Sequence, residues 1–204
     1  MLSDFVHIYQ PAPKPSTTTL LLLHGTGGNE QSLLDVGREL APHANLLSPR
    51  GRVLEGSMPR FFRRISEGVF DEHDIKIRAA ELAAFLTAAA AHYKFTDSNI
   101  IAVGFSNGAN IAAALMLLHP QSLRAAALWR AMVPLVPPQT PDLKGKSVLI
   151  TSGEYDGMVT PLNRQQLASL FKSAGAKVQT ELLPVGHNLT QNDLAKTGRW
   201  LKDL

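Results

Sequence analysis

The chain has 204 residues, no cysteine and a formal net charge of +3. That length suits one compact domain. The absence of cysteine excludes a disulfide framework, a thiol nucleophile and a cysteine metal site, and the small net charge gives no reason to expect a nucleic-acid partner. No apolar run reaches membrane-spanning length. Met1-Leu2-Ser3-Asp4 lacks the basic segment and apolar core of a signal peptide. One cytoplasmic domain over residues 1–204 is therefore expected.

Residues 5–9 and 18–23 read as the first two strands, with the stiff Pro11-Ala12-Pro13-Lys14-Pro15 turn between them. The second strand breaks into His24-Gly25-Thr26-Gly27-Gly28-Asn29. This glycine-rich loop lacks the Gly-Lys-Ser/Thr ending of a phosphate-binding loop, and its spacing fails the dinucleotide fingerprint. A helix over 32–40 and a strand over 44–47 follow. Residues 49–74 show no regular pattern. They carry a basic cluster of Arg50, Arg52, Arg60, Arg63 and Arg64, then an acidic run of Glu67, Asp71, Glu72 and Asp74. Charge pairing across a surface loop is one reading of that run. The other is an arginine near a pocket, holding an anionic part of a substrate. The longest predicted helix spans 75–93. Ile75, Ala79, Leu82, Leu86, Ala89 and Tyr93 form its core-facing stripe, and Asp74 is its expected N-cap.

Next comes Gly104-Phe105-Ser106-Asn107-Gly108, set between an apolar strand at 100–103 and an apolar helix at 107–119. A serine on a sharp strand-to-helix turn has its hydroxyl clear of the sheet at a helix N-terminus. Its flanking glycines permit the close backbone approach this needs. That is the position of the nucleophile in an α/β-hydrolase. A plain tight turn with an exposed serine is the alternative, and the remaining elements argue against it. Strands are predicted at 123–128, 148–151 and 177–183, and helices at 161–174 and 191–201. The fold class is thus α/β, a mainly parallel sheet with helices on both faces. Residues 129–144 form a second long irregular connection, and no insertion is large enough for a separate cap domain.

An α/β-hydrolase needs its partners in the order serine, acid, histidine. The turn Gly153-Glu154-Tyr155-Asp156-Gly157 follows one late strand, and Val185-Gly186-His187-Asn188 follows the next. Each candidate sits past the C-terminal end of a strand, where open α/β sheets place their sites. Asp156 is the expected acid, with Glu154 in the same turn as its competitor. His187 is the expected base, and the other six histidines fit the order badly. Backbone N–H groups of Thr26 and Asn107 are the expected oxyanion donors, with the His24 side chain packed beneath the site.

These residues resemble the phospholipase/carboxylesterase group of small α/β-hydrolases, relatives of the acyl-protein thioesterases. The resemblance is carried by Leu23-His24-Gly25-Thr26-Gly27-Gly28-Asn29, Gly104-Phe105-Ser106-Asn107-Gly108-Ala109-Asn110, the Asp156 turn and Gly186-His187, and it spans nearly the whole chain. Asn107-Gly108-Ala109-Asn110 and Arg60-Phe61-Phe62-Arg63-Arg64 look most like the bacterial esterase branch linked to hydroquinone stress. The resemblance implies ester hydrolysis by Ser106, His187 and Asp156, with no cofactor; no metal is expected, and an open site without a lid favours small carboxylic esters. Acyl thioesterase or lysophospholipase activity is the alternative within that chemistry. A non-catalytic binder of a small aromatic ligand is the alternative outside it. Phe61, Phe62, Arg63, Met132 and Val133 are the candidate pocket residues. Met132 to Val136 form either a second pocket wall or the surface of a homodimer.

Overall fold

The structure, a computed structural model, describes residues 2–204. Its elements in chain order begin with β1 (His7–Gln10), β2 (Thr19–Leu23), α1 (Leu34–Leu40) and β3 (Asn45–Pro49). Four short strands follow, β4 (Val53–Glu55), β5 (Met58–Arg60), β6 (Arg64–Ser66) and β7 (Val69–Phe70), and then α2 (Glu72–Tyr93). The second half comprises β8 (Ile100–Phe105), α3 (Asn107–Leu118), β9 (Ala125–Trp129), β10 (Ser147–Gly153), α4 (Pro161–Ser173), β11 (Lys177–Leu183) and α5 (Gln191–Lys202). Among the described residues no helix is long and apolar enough to cross a membrane.

Seven strands form the central sheet, in the order β1-β3-β2-β8-β9-β10-β11. Only β1 runs antiparallel to its neighbour; the other pairs are parallel. The run of leucines in β2 shows why the sheet is covered on both sides. Successive strand residues point to opposite faces. Leu21 and Leu23 enter one core with residues of α2, α3 and α4. Leu20 and Leu22 enter the other, with Leu194 and Trp200 of α5 and Leu34 of α1. A strand buried on both faces reads as continuous hydrophobicity, not alternation. Helix α3 is apolar all round and buried for nearly its whole length, as a helix packed against a central strand must be.

Two details differ from the expectation. Helix α2 begins a turn earlier than position 75, because Asp71 caps it by accepting the Asp74 N–H at 3.1 Å. Residues 49–74 are not irregular but hold two hairpins, β4–β5 and β6–β7. Gly56 at φ 61° and Gly68 at φ 74° supply the left-handed turn positions. Such short strands bury too little for a hydrophobic pattern to declare them. The stretch 130–146 does lack helix and strand.

From β2 the chain goes outward to β3, then returns to β8 on the other side of β2. The loops after β2 and β8 therefore flank the crevice where an open α/β sheet binds its ligand. Because β2, β8, β9, β10 and β11 are parallel, the segments following all five emerge at the same edge.

Candidate active site

Ser106 occupies the turn between β8 and α3 at φ 52° and ψ −113°. For a residue with a Cβ this is a strained geometry, held by its surroundings. The Ser106 N–H donates to the Trp129 carbonyl of β9 at 2.8 Å. Two close backbone approaches complete the turn. A Cβ on Gly104 would lie 2.6 Å from the Gly108 carbonyl oxygen, and one on Gly108 would run into the Leu23 carbonyl of β2.

The structure brings His187 and Asp156 to this serine. Ser106 Oγ and His187 Nε2 are 2.8 Å apart, and His187 Nδ1 and Asp156 Oδ2 are 2.8 Å apart. With a carboxylate at Nδ1, that nitrogen carries the proton and Nε2 is left to accept from the serine hydroxyl. Asp156 Oδ1 meanwhile accepts the N–H groups of Met158 at 2.9 Å and Val159 at 3.1 Å. One oxygen caps its own loop and the other meets the histidine. Glu154, the competing carboxylate, points into solvent.

The loop after β2 completes the crevice. The N–H groups of Gly27 and Gly28 are engaged by the carbonyls of Pro59 and Gly25, and Thr26 borders the cleft. Asn107 is the first residue of α3, so its N–H has no intrahelical acceptor. Both residues border one narrow cleft of about 30 Å³ with Ser106, His187, Arg60 and Met132. His24 is structural: Nδ1 bonds the Gly25 carbonyl at 2.7 Å, and Nε2 accepts the Gly51 N–H at 3.0 Å. Burial lowers its pKa, so the ring stays neutral and pins two loops beneath the site.

The expected pocket residues divide. Met132 lines the cleft; Phe61, Phe62, Arg63 and Val133 do not. Phe61 is buried against the His24 ring, with centroids 4.7 Å apart, and Phe62 meets Phe70 edge-on at 5.2 Å. The β5 hairpin turns both rings into the core, and Phe70 takes the lining position instead. Arg63 points outward and pairs with Asp71 at 2.6 Å. Val133 packs against the core, and its N–H donates to Asn163 Oδ1 at 2.9 Å.

The asparagines of Ser106-Asn107-Gly108-Ala109-Asn110 have a role that the motif alone does not declare. Asn107 Oδ1 accepts the Phe61 N–H at 2.7 Å and Asn110 Oδ1 accepts the Met132 N–H at 2.8 Å. Each side chain fastens one of the two long connections to the first turn of α3. Cleft walls and Ser106 therefore keep one geometry.

A buried pair supports the histidine loop. Arg130, directly after β9 at φ 56°, and Asp193 of α5 both have fully buried side chains. Two guanidinium nitrogens donate to the two carboxylate oxygens at 2.8 and 2.9 Å. Arg130 also donates to the Gly186 carbonyl at 3.2 Å and the Asn188 carbonyl at 2.9 Å, one on each side of His187. Thr151 and Thr190 hydroxyls complete the shell of Asp193. Burial pushes the Asp193 pKa up, but the hydrogen bonds from Arg130 and Thr151 and the Arg130 charge outweigh it, and the net shift is down. A lowered folded pKa means that this stabilisation is present above the ordinary aspartate range. It is lost as pH falls below that range toward the folded value. Arg130→Met leaves Asp193 buried without its cation. The expected loss is about 3–5 kcal/mol in urea unfolding at pH 7, with a lower kcat because the carbonyls flanking His187 lose their donor. A loss below about 1 kcal/mol, the range of an exposed ion pair, contradicts the assignment. The Thr190-x-x-Asp193 capping box was the available sequence signal for Asp193.

Residues 6–204 match the sequence profile of the Phospholipase/Carboxylesterase family. The chain belongs to that family. It is 44% identical over 197 residues to MhqD of Bacillus subtilis (strain 168), a match covering 97% of this chain and 98% of the relative. The Bacillus cereus carboxylesterase structure superposes with a TM-score of 0.95 at 43% identity, covering 98% of this chain and 94% of that one. A carboxylesterase from Mesorhizobium loti gives 0.93 at 35% identity, with 98% and 96% covered. As a member of the phospholipase/carboxylesterase family, the chain has the α/β-hydrolase fold and is a hydrolase of the carboxylesterase type.

Proposed function

We propose that the protein is a serine carboxylesterase that hydrolyses small carboxylic esters through an acyl-enzyme on Ser106. The observation that carries this reading is the unbroken relay Ser106 Oγ–His187 Nε2–His187 Nδ1–Asp156 Oδ2, each contact 2.8 Å. As Ser106 Oγ bonds to the ester carbonyl carbon, its proton passes to His187 Nε2. Asp156 holds the imidazole in the required tautomer and stabilises the imidazolium. The carbonyl oxygen, now an oxyanion, accepts from the Thr26 and Asn107 N–H groups. Collapse breaks the bond to the alcohol oxygen, which leaves with the proton from Nε2. Water then gives a proton to Nε2 and adds to the acyl carbon. The second collapse returns the proton to Ser106 and releases the carboxylic acid.

The cleft is narrow, about 30 Å³, far below the roughly 300–1,000 Å³ typical of sites that enclose drug-sized ligands. It suits short acyl chains. The test is a p-nitrophenyl ester series from acetate to palmitate, together with labelling by an organophosphonate. Turnover is expected to peak among the shortest acyl groups, and the label to attach at Ser106 in wild type and not in Ser106→Ala. Silence across the series with no labelling would replace the esterase by a ligand-binding hydrolase fold.

A further inference from the structure

The arginines between positions 50 and 64 separate into two groups. Arg50 is closed off by Glu30, Arg52 by Glu81 and Arg63 by Asp71. Arg60 and Arg64 instead share one carboxylate. Arg64 Nε and Nη2 both donate to Glu55 Oε1, at 3.1 and 2.8 Å, and Arg60 Nη1 lies 3.3 Å from Glu55 Oε2. Both arginines line the cleft that holds Ser106 and His187. The remaining bonds of Arg60 run from Nε to the Phe62 carbonyl at 3.2 Å and from Nη1 to Thr26 Oγ1 at 2.6 Å. Arg60 Nη2 and Arg64 Nη1 are left without a protein acceptor among the described residues. Of the carboxylates bonded to other residues of the cleft, Asp156 is committed to His187 and Asp193 to Arg130. This wall therefore holds two guanidinium groups against one carboxylate.

Such an arrangement is unfavourable with nothing opposite it. The Arg60 side chain is only 4% exposed, and its pKa is pulled down first by burial and then by the charge of Arg64. A second anion would relieve both effects. We propose that Arg60 and Arg64 bind a carboxylate of the substrate, so that the preferred ester carries a negative charge a few bonds from the scissile carbonyl. The distance follows from Thr26: its hydroxyl accepts from Arg60, and its N–H is the proposed oxyanion donor, so carbonyl and anion lie to either side of one residue. The planar guanidinium fork matches the two oxygens of a carboxylate, and a charge-assisted pair in a partly enclosed cleft is stronger than a neutral contact. This inference deepens the esterase reading and rests on it.

Two matched substrate pairs test it. On the acyl side, p-nitrophenyl hemiglutarate is compared with p-nitrophenyl pentanoate; on the alcohol side, 4-acetoxybenzoate with 4-methylphenyl acetate. The readout is the ratio of kcat/KM, charged over neutral, so general damage to the enzyme cancels. In Arg64→Gln the ratio for at least one pair is expected to fall about 10- to 100-fold, carried by KM. Arg64→Lys retains part of the preference, and Arg63→Gln, altered outside the cleft, keeps the wild-type ratio. Equal ratios in wild type and Arg64→Gln for both pairs would overturn the proposal and leave the esterase standing. If no ester is turned over at all, the esterase reading fails separately. Calorimetric titration of glutarate then decides: binding to wild type that is lost in Arg64→Gln supports the anion site, and no binding to wild type removes it.

Discussion

Ser106→Ala is expected to lower kcat on a short p-nitrophenyl ester by about 10⁶, the scale seen when the nucleophile of a serine–histidine–aspartate site is removed. The backbone of the turn should survive the change. Its geometry is set by the close approaches at Gly104 and Gly108 and by the Ser106 N–H bond to Trp129, none of which uses the hydroxyl. The loss is therefore chemical and not structural. His187→Ala is expected to cost about as much, and the double variant little more, because nucleophile and base act as one unit. A remainder above the uncatalysed rate should persist, since the proposed oxyanion donors, the Thr26 and Asn107 N–H groups, are untouched. Steady-state kinetics on the three variants, with thermal melts to show each is folded, measure this. Retention of more than a few per cent of kcat in folded Ser106→Ala would remove Ser106 as the nucleophile. Losses that add from single to double variant would mean the two residues do not work together.

The ease with which this site is read in the sequence has a physical origin. Ser106, Asp156 and His187 each follow a parallel strand, and parallel strands deliver their following loops to one edge. Order along the chain thus becomes proximity in space. The glycines of the Ser106 turn are equally legible, because backbone collisions permit little else there. Phe61 and Phe62 show where this reasoning stops. Two adjacent aromatics near a site suggest a pocket. Their direction, however, depends on the hairpin at β5 and on the Asn107 bond to the Phe61 N–H, and neither has a hydrophobic period. The turn residues Gly56 and Gly68 were the only local announcement of those hairpins. Arg130 and Asp193 lie 63 residues apart, and nothing local in an arginine after an apolar strand declares a buried partner. The basic cluster was visible as composition. Which of its members are neutralised, and which face the cleft, is a matter of tertiary pairing alone.

Asp156→Asn is expected to lower kcat by about 10⁴, and the loop around Asp156 explains why so conservative a change costs so much. Oδ1 accepts two backbone N–H groups, from Met158 and Val159. In the asparagine variant only the amide oxygen can occupy that position, because the amide nitrogen would set its hydrogens against two donors. The NH₂ group is thereby directed at His187 Nδ1. The imidazole responds by placing its proton on Nε2, the nitrogen that must accept from Ser106. Packing is unchanged and the base is disabled, so the loss appears in kcat while the protein stays as stable as wild type within about 1 kcal/mol. Glu154→Gln, at an exposed position two residues earlier in the same turn, should change kcat less than about twofold. Measured side by side on one short ester, the two variants discriminate cleanly. A greater loss in Glu154→Gln would transfer the acid's role to Glu154, and near-wild-type activity in Asp156→Asn would mean that the tautomer of His187 is fixed by some other group.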